Sequence, residues 1–298
     1  MPYEVGRFGI RKWSIMLTDQ AHALRNLVMQ SGPRRAKIVA ITSGKGGVGK
    51  SNIAVNLAIR LSRMGRRVVL LDADLGTANA DVLCNLSPTG DLAHVVAGRQ
   101  TLVQAMIEAP GGFRLIPGAS GLAQMAALGE FERVRLMQQV RQLEEDNDLV
   151  LIDTGAGVSP NVLSFALGAD QLLVVTTPEP TAVADAYAVI KIVSRQREDS
   201  DVRVLVNMVK DTEEGRDVFK RIDAVCRQFL GLSTLYAGHV VSDPRVSMAV
   251  RRRRPFILDS PNCDASACIS QLAHRMDRHA IEPRGDGLLR RMAMWLAG

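Results

Sequence analysis

A glycine-rich segment with two lysines is the part of the sequence best equipped for chemistry. It reads Gly44-Lys45-Gly46-Gly47-Val48-Gly49-Lys50-Ser51-Asn52, and we call it the P-loop because the spacing of its glycines, lysine and serine is that of a phosphate-binding loop. Glycines let successive backbone N–H groups converge on phosphate oxygens, and a helix that begins at Lys50 adds a positive dipole end. Lys50 would contact the β- and γ-phosphates, and the Ser51 hydroxyl would coordinate Mg²⁺. The segment therefore predicts a nucleotide-binding site.

Three aspartates follow two apolar runs that predict buried strands. Asp72 and Asp74 follow residues 68–71, and Asp153, after residues 149–152, occupies the position of a Walker B carboxylate that holds Mg²⁺ directly or through water. Because Asp72 and Asp74 are two apart in an extended segment, they lie on the same side, where one would bind a metal-bound water and the other would orient the attacking water. In the alternative, the aspartates only cap helices or lie in solvated turns. The predicted metal ligands are Ser51, Asp72 and Asp153.

The elements that must position these residues alternate between strands and helices. Apolar runs predict strands near residues 38–41, 68–71, 113–118, 149–152, 171–176, 202–207 and 240–241. Amphipathic runs predict helices from residue 50 and over 91–109, 131–145, 160–167, 180–195 and 213–230. This alternation predicts an α/β fold, a doubly wound and mostly parallel sheet flanked by helices. Ligands in such sheets bind beyond the carboxyl ends of the strands, where the P-loop, the aspartates, Thr177 and Asn207 are placed.

Length and composition are those of a folded protein. The chain has 298 residues, of which 47% are apolar and 23% charged, so it can bury a sizeable core. No apolar run approaches the roughly 18 residues that a membrane-spanning helix needs. The N-terminus has no apolar stretch of the signal-peptide type, and the cytoplasm is therefore the expected location.

Charge and cysteine content narrow the partners and cofactors. Lysine and arginine outnumber aspartate and glutamate by 37 to 31, and the net charge of +6 favours anionic partners without naming one. Residues 251–254 are four arginines, which form either a solvated helix end or a contact with an anionic partner. The cysteines contain no CxxC pair, so we expect reduced, buried thiols rather than a zinc or iron–sulfur site. They are Cys84, Cys226, Cys263 and Cys268.

Lys45 gives the P-loop an additional lysine and links it to a known family. The run Gly-Lys-Gly-Gly-Val-Gly-Lys-Ser resembles the deviant Walker A motif of the MinD/ParA ATPases, and residues 72–74 and 153–157 resemble their two switch segments. The likeness spans about residues 36 to 275. It implies that Lys45 acts in trans on the nucleotide of a second subunit, so that an ATP-dependent homodimer encloses two ATP molecules. It also implies that Asp74 activates the attacking water, and Asn207 resembles the residue that reads adenine. The predicted catalytic residues are Asp74, Lys45 and Lys50.

The N-terminal region carries a second resemblance. Residues 18–28 predict a capped amphipathic helix, which either packs on the body of the protein or docks on a partner. The pattern Asp19-Gln20-Ala21-x-x-Leu24-Arg25 resembles the N-terminal motif of the flagellar-number regulators of the FlhG group, also called FleN or YlxH. Residues 50–52, 176–181 and 185–187 are similar to that group as well. In the group, the N-terminal helix stimulates the GTPase FlhF, which implies that Gln20 is the activating residue.

The C-terminal residues predict an amphipathic helix. Five apolar side chains share one face and two arginines flank it, a pattern typical of helices that lie on an anionic membrane surface. Two copies in a dimer would add avidity and make attachment depend on ATP. In the alternative, the helix docks on its own domain. The apolar face consists of Leu288, Leu289, Met292, Trp295 and Leu296.

These patterns together predict three regions and one function. Residues 1–35 would form an activator extension, 36–280 the P-loop ATPase domain, and 281–298 a linker and membrane-targeting helix. The predicted protein is a slow, switch-type ATPase that uses ATP and Mg²⁺, binds the inner face of the cell membrane reversibly and regulates flagellum number or placement. The alternative is a ParA-like, DNA-binding partitioning ATPase, although the amphipathic C-terminus makes a nucleic-acid partner the weaker prediction. An iron–sulfur carrier would need cysteines at a suitable spacing, which the four cysteines do not offer. A bacterial tyrosine kinase would need a tyrosine-rich tail, and the sequence has only three tyrosines.

Overall fold

A central sheet organises the part of the chain that the computed structural model describes, residues 35–74, 79–118, 130–197 and 201–278. Its eight strands are β1 (Lys37–Ser43), β2 (Val68–Ala73), β3 (Ile107–Glu108), β4 (Arg114–Ile116), β5 (Leu149–Ala156), β6 (Gln171–Thr176), β7 (Asp201–Val209) and β8 (Leu235–Val241). They lie in the order β3-β4-β2-β5-β1-β6-β7-β8, and every neighbouring pair is parallel except β3 with β4. The predicted doubly wound, mostly parallel sheet is confirmed.

Helices connect the strands and cover both faces of the sheet. They are α1 (Lys50–Arg63), α2 (Ala80–Leu83), α3 (Leu92–Val96), α4 (Leu102–Ala105), α5 (Glu130–Asp146), α6 (Pro160–Gly168), α7 (Pro180–Gln196), α8 (Thr212–Leu230), α9 (Pro244–Arg251), α10 (Phe256–Asp259) and α11 (Asp264–Arg278). Alternate residues of β1 belong to two separate cores, Ile38 to one and Val39 to the other. The first core includes α7 and α8, and the second includes α1 and α11. Because both faces are covered, the inner strands are apolar along their length.

The segment from residue 91 to residue 109 differs from its prediction. A single helix was expected there, and the structure has the two short helices α3 and α4, followed by β3. Gly98 takes a left-handed φ of +73° just after α3, a conformation that ends a helix. A capping box between Thr101 and Gln104 then begins α4. These local stop and start signals outweigh the amphipathic pattern of the segment.

Several boundaries also differ from the prediction. β8 begins at Leu235 rather than near residue 240, and β7 continues past Asn207 to Val209. Neither β3 nor the helices α2, α9, α10 and α11 were predicted from the sequence. No helix in the described ranges is long and apolar enough to cross a membrane. All four cysteines are buried, as expected.

A buried asparagine connects the helix after the P-loop to the C-terminal part of the fold. Asn56, on α1, is 1% exposed, and its Oδ1 accepts a hydrogen bond of 2.9 Å from the Ile257 N–H at the start of α10. Its Nδ2 donates to the Asn52 carbonyl one turn earlier. Unpaired buried amides are costly, so the bond from Ile257 helps to hold α1 against α10, while the bond to Asn52 satisfies the remaining amide within the helix.

Candidate active site

The P-loop lies between the carboxyl end of β1 and the start of α1, as predicted. Gly49 precedes α1 with a left-handed φ of +85°, which a residue with a side chain adopts only under strain. A Cβ atom on Gly44 would overlap the backbone of Asp185 in α7. The loop can therefore take this path, pressed against α7, only with glycine at these two positions.

Two adjoining clefts open beside the P-loop. The first, of about 600 Å³, is within the usual size of a small-molecule site, and we call it the nucleotide cleft. Its wall includes Gly46, Gly47, Val48, Gly49, Lys50, Ser51, Asn52, Asp74, Asn79, Val82, Met208 and Val250. The second, of about 510 Å³, shares residues 46–48 and Met208 with the first and continues to Lys45, Glu179 and Lys210. The two lysines of the P-loop thus line different clefts.

A buried ion pair joins the P-loop to the predicted Walker B residue. Lys50 Nζ lies 2.8 Å from Asp153 Oδ1, and the two side chains are 7% and 0% exposed. Burial raises the pKa of Asp153 above its ordinary value, while the ion pair with Lys50 and the Ser51 hydroxyl act to lower it. The structure thus brings the three predicted phosphate and metal contacts, Lys50, Ser51 and Asp153, to one point.

Asp72 lies beside this point, but backbone N–H groups surround its carboxylate. It pairs in register with Asp153 across β2 and β5, is 1% exposed, and accepts hydrogen bonds of 3.1 Å from the N–H groups of Asp74, Asn79 and Ala80. Burial and the charge of Asp153 raise the pKa of Asp72 to about 7, although these N–H groups lower it. Neither Asp72 nor Asp153 is part of the nucleotide cleft wall, and the assignment of Asp72 as a metal ligand stays a prediction.

Asp74 differs from Asp72 because its side chain lines the nucleotide cleft. Its Oδ1 would lie 3.6 Å from a Cβ placed on Gly155, so it borders the carboxyl end of β5. Its negative charge also raises the pKa of Asp153. A carboxylate in this place shares the cleft with Lys50 and Ser51, as the prediction of a water-activating residue requires.

The donor set fits a magnesium ion. Asp153 Oδ2 is buried and accepts no hydrogen bond within the described ranges, so one carboxylate oxygen is left for a ligand. Mg²⁺ prefers carboxylate, hydroxyl and water oxygens. Ser51 and Asp153 would hold the ion, and Asp72 stays a predicted third ligand.

Lys45 has its own set of partners. Its Nζ lies 2.6 Å from Glu179 Oε2 and 3.2 Å from Thr181 Oγ1, and its side chain is 42% exposed. Glu179 and Thr181 belong to the segment 176–181, to which the sequence analysis gave no chemical role. The motif that contains Glu179 and Thr181 was noticed in the sequence. Its contact with Lys45 was not predicted, because the contact spans 134 residues and no local pattern indicates it.

The Asn207 side chain is hydrogen-bonded to the P-loop. It is 7% exposed, and its Nδ2 donates a hydrogen bond of 2.8 Å to the Val48 carbonyl. The next residue, Met208, takes a left-handed φ of +59° at an irregularity between β7 and β8, which aims its side chain into both clefts. The reading of adenine by Asn207 stays a prediction. Met208, Asn79 and Val250 were missed because nothing in the sequence marks them.

Other predicted residues lie away from the clefts or outside the described ranges. Residues 251–254 are exposed at the end of α9, where Arg252 pairs with Asp259 at 3.2 Å. Gln20 and the apolar residues of 288–296 lie outside the described ranges, and so do both proposed end regions. Their roles and the three-region division stay predictions.

Comparisons with known proteins agree with this geometry. A family model described as an AAA domain matches residues 36–204. The antiactivator FleN of Pseudomonas aeruginosa is 39% identical over 251 residues, 84% of this chain and 90% of that protein. The flagellum site-determining protein YlxH of Helicobacter pylori is 33% identical over 284 residues, 91% of this chain and 96% of that protein. The solved structure of the septum site-determining protein MinD of Pyrococcus horikoshii, complexed with Mg-ADP, shares the fold, with a TM-score of 0.68 and 23% identity over 82% of this chain and 97% of that chain.

Proposed function

Because the chain belongs to the MinD/ParA family of P-loop ATPases, we propose that it is an ATP-driven switch that regulates the number or placement of flagella. The observation that carries the proposal is that Lys50, Ser51 and Asp74 line one cleft, that the buried Asp153 contacts Lys50 behind it, and that a second P-loop lysine lies outside it. The printed name of the relative YlxH, a flagellum site-determining protein, supports the flagellar role.

The residues of the cleft divide the work of hydrolysis among them. The N–H groups of the P-loop and the Lys50 ammonium bind the β- and γ-phosphates, which requires Lys50 to exchange Asp153 for phosphate oxygens. Asp74 accepts the proton of the attacking water. Mg²⁺, when bound, offsets negative charge on the phosphate oxygens. A further cation beside the γ-phosphate would complete this set of contacts.

A second copy of the chain would supply that cation. Lys45 does not line the nucleotide cleft of its own subunit, and it is exposed enough to reach another. In an ATP-bound homodimer, each Lys45 would stabilise the charge on the partner's γ-phosphate. Hydrolysis would therefore be slow in the monomer and would end the lifetime of the dimer.

We expect attachment to anionic liposomes to require ATP. Doubling the number of apolar helices in a dimer should raise the sedimented fraction about tenfold or more over that with ADP, and deletion of residues 287–298 should remove it. Trp295→Glu on the predicted apolar face should act like the deletion. Met294→Glu, on the face predicted to lie opposite, is the matched control and should sediment normally. Equal sedimentation with ATP and ADP would refute the membrane switch.

A peptide of residues 1–35 should accelerate GTP hydrolysis by an FlhF-type GTPase, because Gln20 would orient the attacking water of that enzyme. We expect at least about a tenfold increase, measured as phosphate release. Gln20→Ala should abolish the increase. Gln30→Ala, outside the 19–25 motif, should leave it intact. An unchanged rate with the wild-type peptide would show that the activator role is wrong.

The ParA-like alternative rests on one observation, the exposed arginines 251–254. If these arginines bound DNA phosphates, an ATP-dependent shift of DNA would appear at low salt and fall steeply as salt rises. The same gel at two salt concentrations separates this alternative from the membrane switch.

A further inference from the structure

We propose that Glu179 and Thr181 hold Lys45 in cis and thereby set the protein concentration at which ATP drives dimerisation. We call these three residues the Lys45 latch. The proposal rests on the proposed function, because it concerns the lysine that would act in trans. It assigns a positioning role to Glu179, through its effect on Lys45.

The contacts of the latch occupy the lysine in its own subunit. The Lys45 ammonium lies 2.6 Å from Glu179 Oε2 and 3.2 Å from Thr181 Oγ1. An ammonium that neutralises a carboxylate at hydrogen-bond distance cannot at the same time deliver its full charge to a phosphate of another subunit. The two positions of Lys45 are therefore in competition, and dimerisation must break the cis contacts.

The Glu179 side chain does not cap the helix that it precedes. It occupies the N-cap position of α7, yet its side chain makes no capping hydrogen bond, and Pro180 begins the helix without an N–H to satisfy. The carboxylate instead points to Lys45. Replacing it should leave the helix intact, which makes Glu179→Gln a clean test.

The two sides of the latch are also fixed relative to each other. The backbone of Gly44, next to Lys45, packs against the backbone of Asp185 one turn further along α7, so closely that no Cβ would fit. The lysine and its acceptors thus approach from two rigid elements in contact. A shift of α7 would change the latch and the P-loop together.

The exposure of the pair sets the size of the effect. Lys45 is 42% and Glu179 63% exposed, and ion pairs this exposed change an equilibrium by up to about five-fold. A symmetric dimer breaks two latches, so the two factors multiply to as much as about 25-fold. The latch is therefore an adjustment of the dimerisation threshold and does not block dimerisation.

The test measures dimer dissociation at saturating ATP by analytical ultracentrifugation. The full-length chain carries Asp74→Ala so that ATP persists during the run. Adding Glu179→Gln should tighten the dimer by about two- to 25-fold. Glu213→Gln, which removes one exposed carboxylate at the start of α8, is the matched control and should leave the dissociation constant unchanged. Thr181→Val should tighten the dimer by a smaller factor.

The salt dependence of dimer dissociation distinguishes an ion pair from a merely structural role of Glu179, because a structural role would not depend on salt. Salt screens the exposed cis pair and weakens it. The ratio between the dimer dissociation constant of the parent and that of the Glu179→Gln variant should therefore approach one as salt rises from about 0.05 M to about 0.5 M. An unchanged or weaker dimer for both Glu179→Gln and Thr181→Val, with ATP-dependent dimerisation otherwise intact, would overturn the latch alone. If the parent with Glu179 intact stays monomeric with ATP, the proposed function fails and the latch fails with it.

Discussion

Replacing Asp74 by alanine should lower the rate of ATP hydrolysis by about 100- to 10,000-fold, because a general base positioned at the attacking water contributes that much. Asp74 is the carboxylate that lines the nucleotide cleft, whereas Asp72 is engaged by three backbone N–H groups and Asp153 by Lys50. The rate is measured as phosphate release at saturating ATP.

Two controls distinguish the loss of the general base from the loss of ATP binding. Asp74→Asn keeps the size of the side chain and removes its basicity, so it should fall with the alanine variant. Binding of a fluorescent ATP analogue should stay within a few-fold of wild type in both, since neither variant alters the P-loop. Hydrolysis at the wild-type rate in Asp74→Asn would show that another group activates the water.

Replacing Lys45 by alanine should remove ATP-dependent dimerisation and lower hydrolysis at least about 100-fold, the usual effect of deleting a group that stabilises transition-state charge. ATP binding to the monomer should persist, because Lys45 does not line the nucleotide cleft of its own subunit. This combination distinguishes Lys45 from Lys50, whose loss would remove binding itself.

Lys210 supplies the matched control for Lys45. It is an exposed lysine that lines the same second cleft, so Lys210→Ala makes an equal change in charge close by. We expect it to dimerise and hydrolyse ATP normally. Equal losses in Lys45→Ala and Lys210→Ala would assign the effect to general electrostatics of the cleft and contradict a specific role for Lys45.

The sequence alone predicted the parts of the site that depend on local pattern. The P-loop, its following helix and the aspartates after β2 and β5 are set by spacing and by apolar runs, and the structure places them at one edge of the sheet. Lys50 and Asp153 are 103 residues apart, yet parallel pairing of β1 with β5 brings them together as the fold class requires.

The parts that were not predicted depend on contacts between distant residues. The partner of Lys45 lies 134 residues away and the partner of the Asn207 amide 159 residues away, and both arise only once α7 and β7 pack beside the P-loop. Alternation places Asp72 and Asp74 on one side, but hydrogen bonding at the end of β2 gives them different surroundings. The left-handed Met208 is a consequence of the irregular pairing of β7 with β8.

The central claim is that Lys45 completes the cleft of a second subunit, and a mixing experiment tests it most directly. Lys45→Ala and Asp74→Ala are each expected to be inactive alone. In a mixed dimer, the Lys45→Ala subunit keeps its own Asp74 and receives Lys45 from its partner, so one of the two clefts is complete. The control is a mixture of either single variant with the Lys45→Ala/Asp74→Ala double variant, since neither cleft can then be complete. We expect hydrolysis to return only when the two single variants are mixed; if they form mixed dimers with ATP and these stay as inactive as either variant alone, Lys45 does not act in trans.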